Sequence, residues 1–330
     1  MTKKISFSTE QQLQIRLALT DHVKMTDEAA QTSFIADLEE HAELRAFGAG
    51  SLLNYSHLQN DNGTFKDDLL LTFGIDPSKA IVIEPARLEG YDKDFVCYDT
   101  HYRGTPQAPG ITIGLERTQG AATDGGILTT RIDYLGPKFA ANFTEYYLQK
   151  FAEREMPPNM PIYTFQQLTA TTRDGQKVPA LACVADQNGP LYIHNPNNQF
   201  AQSNPLYYVA RGDDQKRAQI LASAMGNPVK PDGSIKPKGR VTDLDYLRGV
   251  IDAYIEKDVP IDGKFVRLYL MAVECRRGLT AEQRKTLESN EFRGIKGHCP
   301  TLASVFANAA NLHNLLTDPA NDAAPIRAMA

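Results

Sequence analysis

No stretch of the chain approaches the ~18 consecutive apolar residues that span a bilayer, so no transmembrane helix is expected. Residues Met1 to Gln12 carry two lysines and then turn polar, with no apolar centre and no small-residue cleavage site, so no signal peptide is expected either. Positive charge is not in excess: Lys plus Arg number 35 against 40 Asp plus Glu, a formal charge of -5, which leaves no broad cationic face for nucleic acid or a membrane surface. Cysteine is sparse. Cys97, Cys183, Cys275 and Cys299 are scattered without a CxxC pair, which argues against a disulfide framework or a zinc site and fits a cytoplasmic protein. His22, His41, His57, His101, His194 and His313 make no HExxH or paired-ligand spacing, so no metal is expected.

What is present is ordinary globular material. With 330 residues, 42% hydrophobic and 23% charged, the chain can fill a sizeable core, as one large domain with extensions or as two domains. Ser8 and Gln11 form a capping-box pattern before Leu13, Ile15, Leu17 and Leu19, and a second helical pattern runs through Phe34, Ile35, Leu38 and Ala42. After Arg45 short apolar runs broken by Gly and Pro read as strands: Phe47 to Leu53, Ala80 to Ile83, Phe95 to Tyr98, Ile111 to Leu115 and Ile127 to Tyr134. Asp174-Gly175, between Thr164 to Arg173 and Gln176 to Asp186, predicts a hairpin with a tight primed turn. Phe139 to Glu155 predicts an amphipathic helix stopped by Pro157 and Pro158, and helices are also expected over Asp213 to Met225, capped by Gly226, and Thr242 to Glu256. Asn227 to Arg240 reads as a basic surface loop; Gly263 to Ala330 reads as mostly helical, frayed from Asp318 onward.

Three segments have residues suited to chemistry. Phe47-Gly48-Ala49-Gly50-Ser51-Leu52 places two glycines at a strand end, where backbone amides can approach an anion or a developing oxyanion. The bland reading is a tight turn: Leu53 stands where a dinucleotide fingerprint has its third glycine, and Ser51 lacks the Gly-x-Ser-x-Gly setting of a hydrolase nucleophile. Thr100-His101-Tyr102-Arg103-Gly104-Thr105-Pro106 is a Gly/Pro-rich loop in which Arg103 either meets an anionic ligand or ties down a turn. Glu155 follows Leu148 by seven residues and Phe151 by four, so a helix puts this carboxyl on an apolar face. Desolvation and the negative end of the helix dipole would there favour the protonated form, as a proton carrier near neutrality requires. Pairing with Arg154, or fraying into solvent, is the alternative.

Taken together and in this order, the three segments resemble the ChaC-like gamma-glutamylcyclotransferase family. The glycine loop matches its F-G-Y-G-S-L form except for Ala49 in place of Tyr; Arg103-Gly104-Thr105-Pro106 and Pro109-Gly110 match its H-R-G-T-P...P-G segment, with Tyr102 inserted after His101. Arg154-Glu155-Met156 matches its R-E-M helix end, and Tyr163, Asp174-Gly175, the run Ala180 to Asp186, and Tyr192 follow in order, although the spacing from Glu155 to Tyr163 is longer than in the family, with three prolines between. The likeness spans about Arg45 to Val259.

The resemblance implies an α+β fold, a curved, mixed, partly closed sheet flanked by helices. It divides the chain into a helical N-terminal extension (1–44), a catalytic domain (45–259) and a mostly helical C-terminal extension (260–330). It implies a lyase with no cofactor, whose small-molecule substrate is glutathione or another gamma-glutamyl compound. Glu155 would be the general base and acid. Phe47, Gly48, Ala49, Gly50, Ser51 and Leu52, with Arg103, Tyr163 and Tyr192, would line the substrate pocket. A catalytically decayed gamma-glutamyl or peptide-binding module, with protein-binding extensions, is the alternative that Ala49 raises. A hydrolase using Ser51 or Cys299 is a third.

Overall fold

A computed structural model describes residues 4–53, 72–74, 81–100, 103–156, 162–204, 207–226, 242–290 and 325–326. The chain divides into two compact units: Met1–Lys93 with Gly114–Asp186, and Asp94–Ile113 with Gln187–Ala330. No described helix is long and apolar enough to cross a membrane.

In the first unit, helices α1 (Thr9–Asp21) and α2 (Glu28–His41) precede strand β1 (Glu43–Gly48). The capping box forms: Gln11 N–H donates to Ser8 Oγ at 3.3 Å, and Ser8 N–H donates to Gln11 Oε1 at 2.9 Å. Ile15, Ala18 and Leu19 are buried, whereas Leu13 and Leu17 are 55% and 53% exposed. Of the apolar residues of the expected helix, Ile15 and Leu19 thus face inward, joined by Ala18 at helical spacing. Ser8→Ala is expected to cost the whole chain about 1 kcal/mol in chemical denaturation, because the Gln11 amide at the helix start loses its acceptor.

Strands β2 (Ile81–Asp99) and β3 (Gly110–Arg131) correct the sequence expectation of separate short strands. Gly90 at φ +81 and Gly120 at φ +76 take up local irregularities inside them, so glycines that read as breaks leave the strands continuous. Lys93 is buried, and its Nζ donates to the Asp124 carbonyl at 3.0 Å, so a charge that marked a loop by composition lies within β2. The expected strand Phe47 to Leu53 is likewise corrected: β1 ends at Gly48, and Ser51–Leu53 is a 3-10 turn closed by Leu53 N–H on the Gly50 carbonyl at 3.1 Å.

Helix α3 (Pro137–Glu155) starts with Pro at its first turn, and β4 (Tyr163–Thr172) and β5 (Lys177–Ala185) form the hairpin. Its turn differs in type from the one expected. Only Gly175 has positive φ, at +84, and Gly175 N–H bonds the Thr172 carbonyl at 3.0 Å; the loop is thus longer than a two-residue primed turn, which needs two such residues.

The five strands close into a mixed barrel in the order β1-β3-β2-β4-β5. The sheet expected to be partly closed closes fully because β1 is paired on both sides, antiparallel to β3 (Phe47 opposite Ile127) and parallel to β5 (Phe47 opposite Ala182). Its core holds Phe47, Leu88, Tyr91, Leu115, Ile127 and Val184 together with Ala49, Ala86, Ala170, Ala180 and Ala182. A five-stranded barrel is narrow, and alanines are what fits between its larger side chains.

The second unit contains α4 (Gln199–Ser203), α5 (Asp214–Ser223), α6 (Asp243–Glu256), β6 (Ile261–Asp262), α7 (Gly263–Arg277), α8 (Ala281–Asn290) and β7 (Pro325–Ile326). Buried Arg217 bridges Asp94 at 2.9 Å and Asp214 at 3.2 Å. The residue after α5 is Ala224 in extended backbone, not the expected Gly226, because Met225 then pairs with Thr242 as a strand would. At the end of the chain, Ile326 pairs with Ile261, so the expected frayed end contains a short strand. The basic loop at 227–240 lies outside the described residues.

Candidate active site at one end of the barrel

Helix α3 carries its aromatic residues on one face. Tyr147 and Phe151 stack with centroids 5.9 Å apart, and Phe151 packs on Phe165 of β4 at 5.2 Å. Glu155 lies one turn beyond Phe151, half-buried, on the face that holds the buried residues Leu148 and Ala152. From Phe165, strand alternation puts Tyr163 on the same face of β4, and Tyr163 is buried. The Arg154 side chain, the proposed partner of Glu155, lies outside the described atoms.

Strand register locates the glycine loop with respect to these two residues. β4 begins with Tyr163 opposite Ala185, the last residue of β5, and β1 runs parallel to β5. The end of the barrel where β1 stops at Gly48 is therefore the end where β5 stops, β4 starts and α3 hands the chain to β4. Phe47, Gly48, Ala49, Gly50 and Leu52 are all buried there; the Ser51 side chain lies outside the described atoms. Ala49, at 5% exposure, packs into the barrel core, so the position where the family form has Tyr is an interior one here.

Two residues of this region were missed from sequence. A Cβ on Gly125 would come within 2.5 Å of the Gly48 carbonyl and 2.6 Å of the Phe47 ring, and one on Gly126 within 2.6 Å of Leu53. Gly125 of β3 thus backs the glycine loop at a distance from the Gly48 backbone that no side chain allows, whereas at Gly126 the end of the Leu53 side chain would have to move. The pair itself was the available signal, but its composition reads as a turn.

Arg103 and Tyr192 belong to the second unit. Arg103 holds the chain's own carboxylates: its Nη2 is 2.7 Å from Asp99 and its Nε 3.5 Å from Asp243. The same Nη2 donates to Thr112 Oγ1 at 2.7 Å, and the guanidinium lies 3.8 Å over the Tyr246 ring. The surrounding glycines follow from this packing. A Cβ on Gly104 would stand 2.0 Å from Gly110 N and 2.4 Å from the Asp99 carbonyl, and one on Gly110 3.2 Å from the Asp243 carboxyl. Asp99 and Asp243 were missed from sequence; Asp99 is four residues before Arg103, whereas Asp243 is remote and carries no local signal. Tyr192 is buried with its ring edge on His194, centroids 5.3 Å apart, and its hydroxyl accepts from Arg211 at 3.4 Å. His101 and Tyr102 lie outside the described residues.

The fold defines a class: an α+β protein built on a closed, mixed five-stranded barrel. Residues 79–225 match the family model of the ChaC-like proteins. The chain resembles that family, and the matched stretch includes Arg103, Glu155, Tyr163 and Tyr192 but begins after the glycine loop. No curated protein sequence matches. Among solved structures, a yeast gamma-glutamyl cyclotransferase specific to glutathione has a TM-score of 0.42 at 15% identity, over 72% of this chain and 99% of that one. YkqA from Bacillus subtilis has a TM-score of 0.30 at 12% identity, over 47% of this chain and 44% of that one.

Proposed function

We propose that the protein is a gamma-glutamylcyclotransferase, that residues 45–259 form its catalytic domain, and that its substrate is glutathione or another gamma-glutamyl compound. The free alpha-amine of the gamma-glutamyl group attacks its own delta-carbonyl. A carbon–nitrogen bond closes the five-membered lactam, and the amide bond to cysteine breaks. With glutathione, the products are 5-oxoproline and cysteinylglycine. Both reacting groups belong to one molecule, so the protein has mainly to hold the chain bent.

Glu155 takes the proton from the attacking nitrogen and returns it to the departing one. Backbone amides of the Phe47–Leu52 loop hold the substrate carboxylate or the oxyanion that forms at the delta-carbon. Tyr163 walls the site beside Glu155. Arg103 and Tyr192 enter by the family resemblance alone. The observation that carries this reading is Glu155: a half-buried carboxyl on an aromatic-faced helix that packs on β4, the strand that starts at the barrel end where the glycine loop leaves β1. The ChaC-like match over residues 79–225 supports the same reading.

Product analysis with glutathione and a panel of gamma-glutamyl amino acids tests it. Equimolar 5-oxoproline and free amine are expected from at least one of them. Release of glutamate instead would identify a hydrolase, and saturable binding without product would identify the decayed binding module.

A further inference from the structure

Among the described residues, the Arg103 cluster brings a cation and two carboxyl groups together away from water. The Asp99 side chain is 1% exposed and that of Asp243 0%, and Arg103 is the cation between them. A carboxyl that is fully buried and stands beyond close ion-pair distance of its cation is favoured in the protonated form. Geometry says which of the two this is. Asp99 is the one at close ion-pair distance to Arg103, 2.7 Å. Asp243 stands farther off, 3.5 Å from the guanidinium at Oδ1, and its Oδ2 accepts the Ile111 N–H at 2.8 Å.

The same residues fasten a turn to a helix. Asp243 opens α6 after the N-cap Thr242 and holds Ile111 N–H, while Tyr246, one turn on, accepts from Ile113 N–H at 3.2 Å and lies under the guanidinium. Asp243 and Tyr246, side by side on the first turn of α6, thus both hold the start of β3, through Ile111, Thr112 and Ile113.

We propose that the Asp99–Arg103–Asp243 cluster is a proton-dependent latch: with its proton, Asp243 holds the Arg103–Ile113 turn on the start of α6, and loss of the proton releases the turn. The charged and titratable groups facing Asp243 among the described residues are Arg103, Asp99 and Tyr246. Burial pushes the Asp243 carboxyl up to about 8, with Asp99 adding to the rise and Arg103 and the Ile111 amide opposing it. Burial also raises the Tyr246 hydroxyl, which keeps it neutral through the range in which Asp243 titrates.

The sign follows. A carboxyl with a folded-state value above its open-state value favours the closed turn fully below the ordinary carboxylate range, and that contribution is lost as pH rises through about 8. Between pH 6 and 8 the closed form binds one proton more than the open form. The opening constant therefore grows by about tenfold per pH unit, then levels off.

Amide hydrogen exchange by mass spectrometry on the full chain, from pH 6 to 9, reads this directly on peptides covering residues 104–113, once intrinsic exchange is divided out. The expected wild-type result is the tenfold slope with a plateau above about pH 8; a flat opening constant would overturn the latch. Asp243→Asn, permanently neutral, is expected to abolish the slope, and a variant that kept it would overturn the assignment to Asp243. Asp99→Asn removes the neighbouring negative charge that adds to the rise of Asp243 and is expected to move the plateau to lower pH. The wild-type profile decides the matter alone should neither variant fold. No turnover is measured, so the result stands apart from the proposed enzymatic activity.

Discussion

Glu155→Gln is expected to lower kcat for 5-oxoproline release by about 10²–10⁴-fold, the range a positioned general acid–base contributes. The substitution keeps the size and shape of the side chain and its ability to accept a hydrogen bond, and it leaves Phe151, Leu148 and Ala152 packed as they are. What it removes is the proton. Cyclisation needs a base to free the amine and an acid to discharge the leaving nitrogen, and an amide can be neither at neutral pH. The half-buried position at the last turn of α3 makes the variant a mild one for folding. Its melting temperature is expected to stay within a few degrees of wild type, and its affinity for the gamma-glutamyl compound to remain. Release of 5-oxoproline at the wild-type rate by the variant would remove Glu155 from the mechanism and leave the barrel end without an identified base.

The second large effect concerns stability. Gly104→Ala would put a methyl group 2.0 Å from Gly110 N, 2.4 Å from the Asp99 carbonyl oxygen and 2.7 Å from the Pro109 carbonyl carbon. All three are backbone atoms, which cannot turn aside as a side chain does. Two strand ends and the turn between them must therefore separate, and Arg103 must lose its place between Asp99 and Asp243. Overpacking in a well-filled core costs about 1–3 kcal/mol and occasionally more; a loss of about 3 kcal/mol is expected here, read as a lower midpoint in chemical denaturation. Wild-type stability in this variant would mean that the Arg103–Gly110 turn is not packed as described. The two expectations separate cleanly, because the Glu155 change spares folding and the Gly104 change attacks it.

The residues legible from sequence share one property. Ser8 and Gln11 cap a helix three residues apart, Phe151 and Glu155 share a helix face four residues apart, and Asp174-Gly175 turns a hairpin within its own few residues. Each pattern is complete in a short window, where backbone geometry and side-chain spacing decide the outcome. The order of the glycine loop, the Arg-Gly-Thr-Pro turn and the Arg-Glu-Met helix end was likewise legible, and it led to the ChaC-like family.

Length of strand was not legible, because Gly90, Gly120 and buried Lys93 carry the composition of loops. Only the closed barrel, which pairs the backbone on both sides and supplies the Asp124 carbonyl to the lysine, makes strand their better state. Nor did sequence distinguish an arginine that meets a ligand from one that ties down a turn; the structure supplies its partners, and one of them, Asp243, comes from the far side of the chain. By itself, then, the sequence determined the helix caps, the hairpin and the family likeness, all of them local or ordered along the chain. Tertiary structure alone decided barrel closure, the interior setting of Ala49 and the charge balance around Arg103. Each of these depends on groups distant in sequence, whose energies are set by burial and by the neighbours that burial brings into contact.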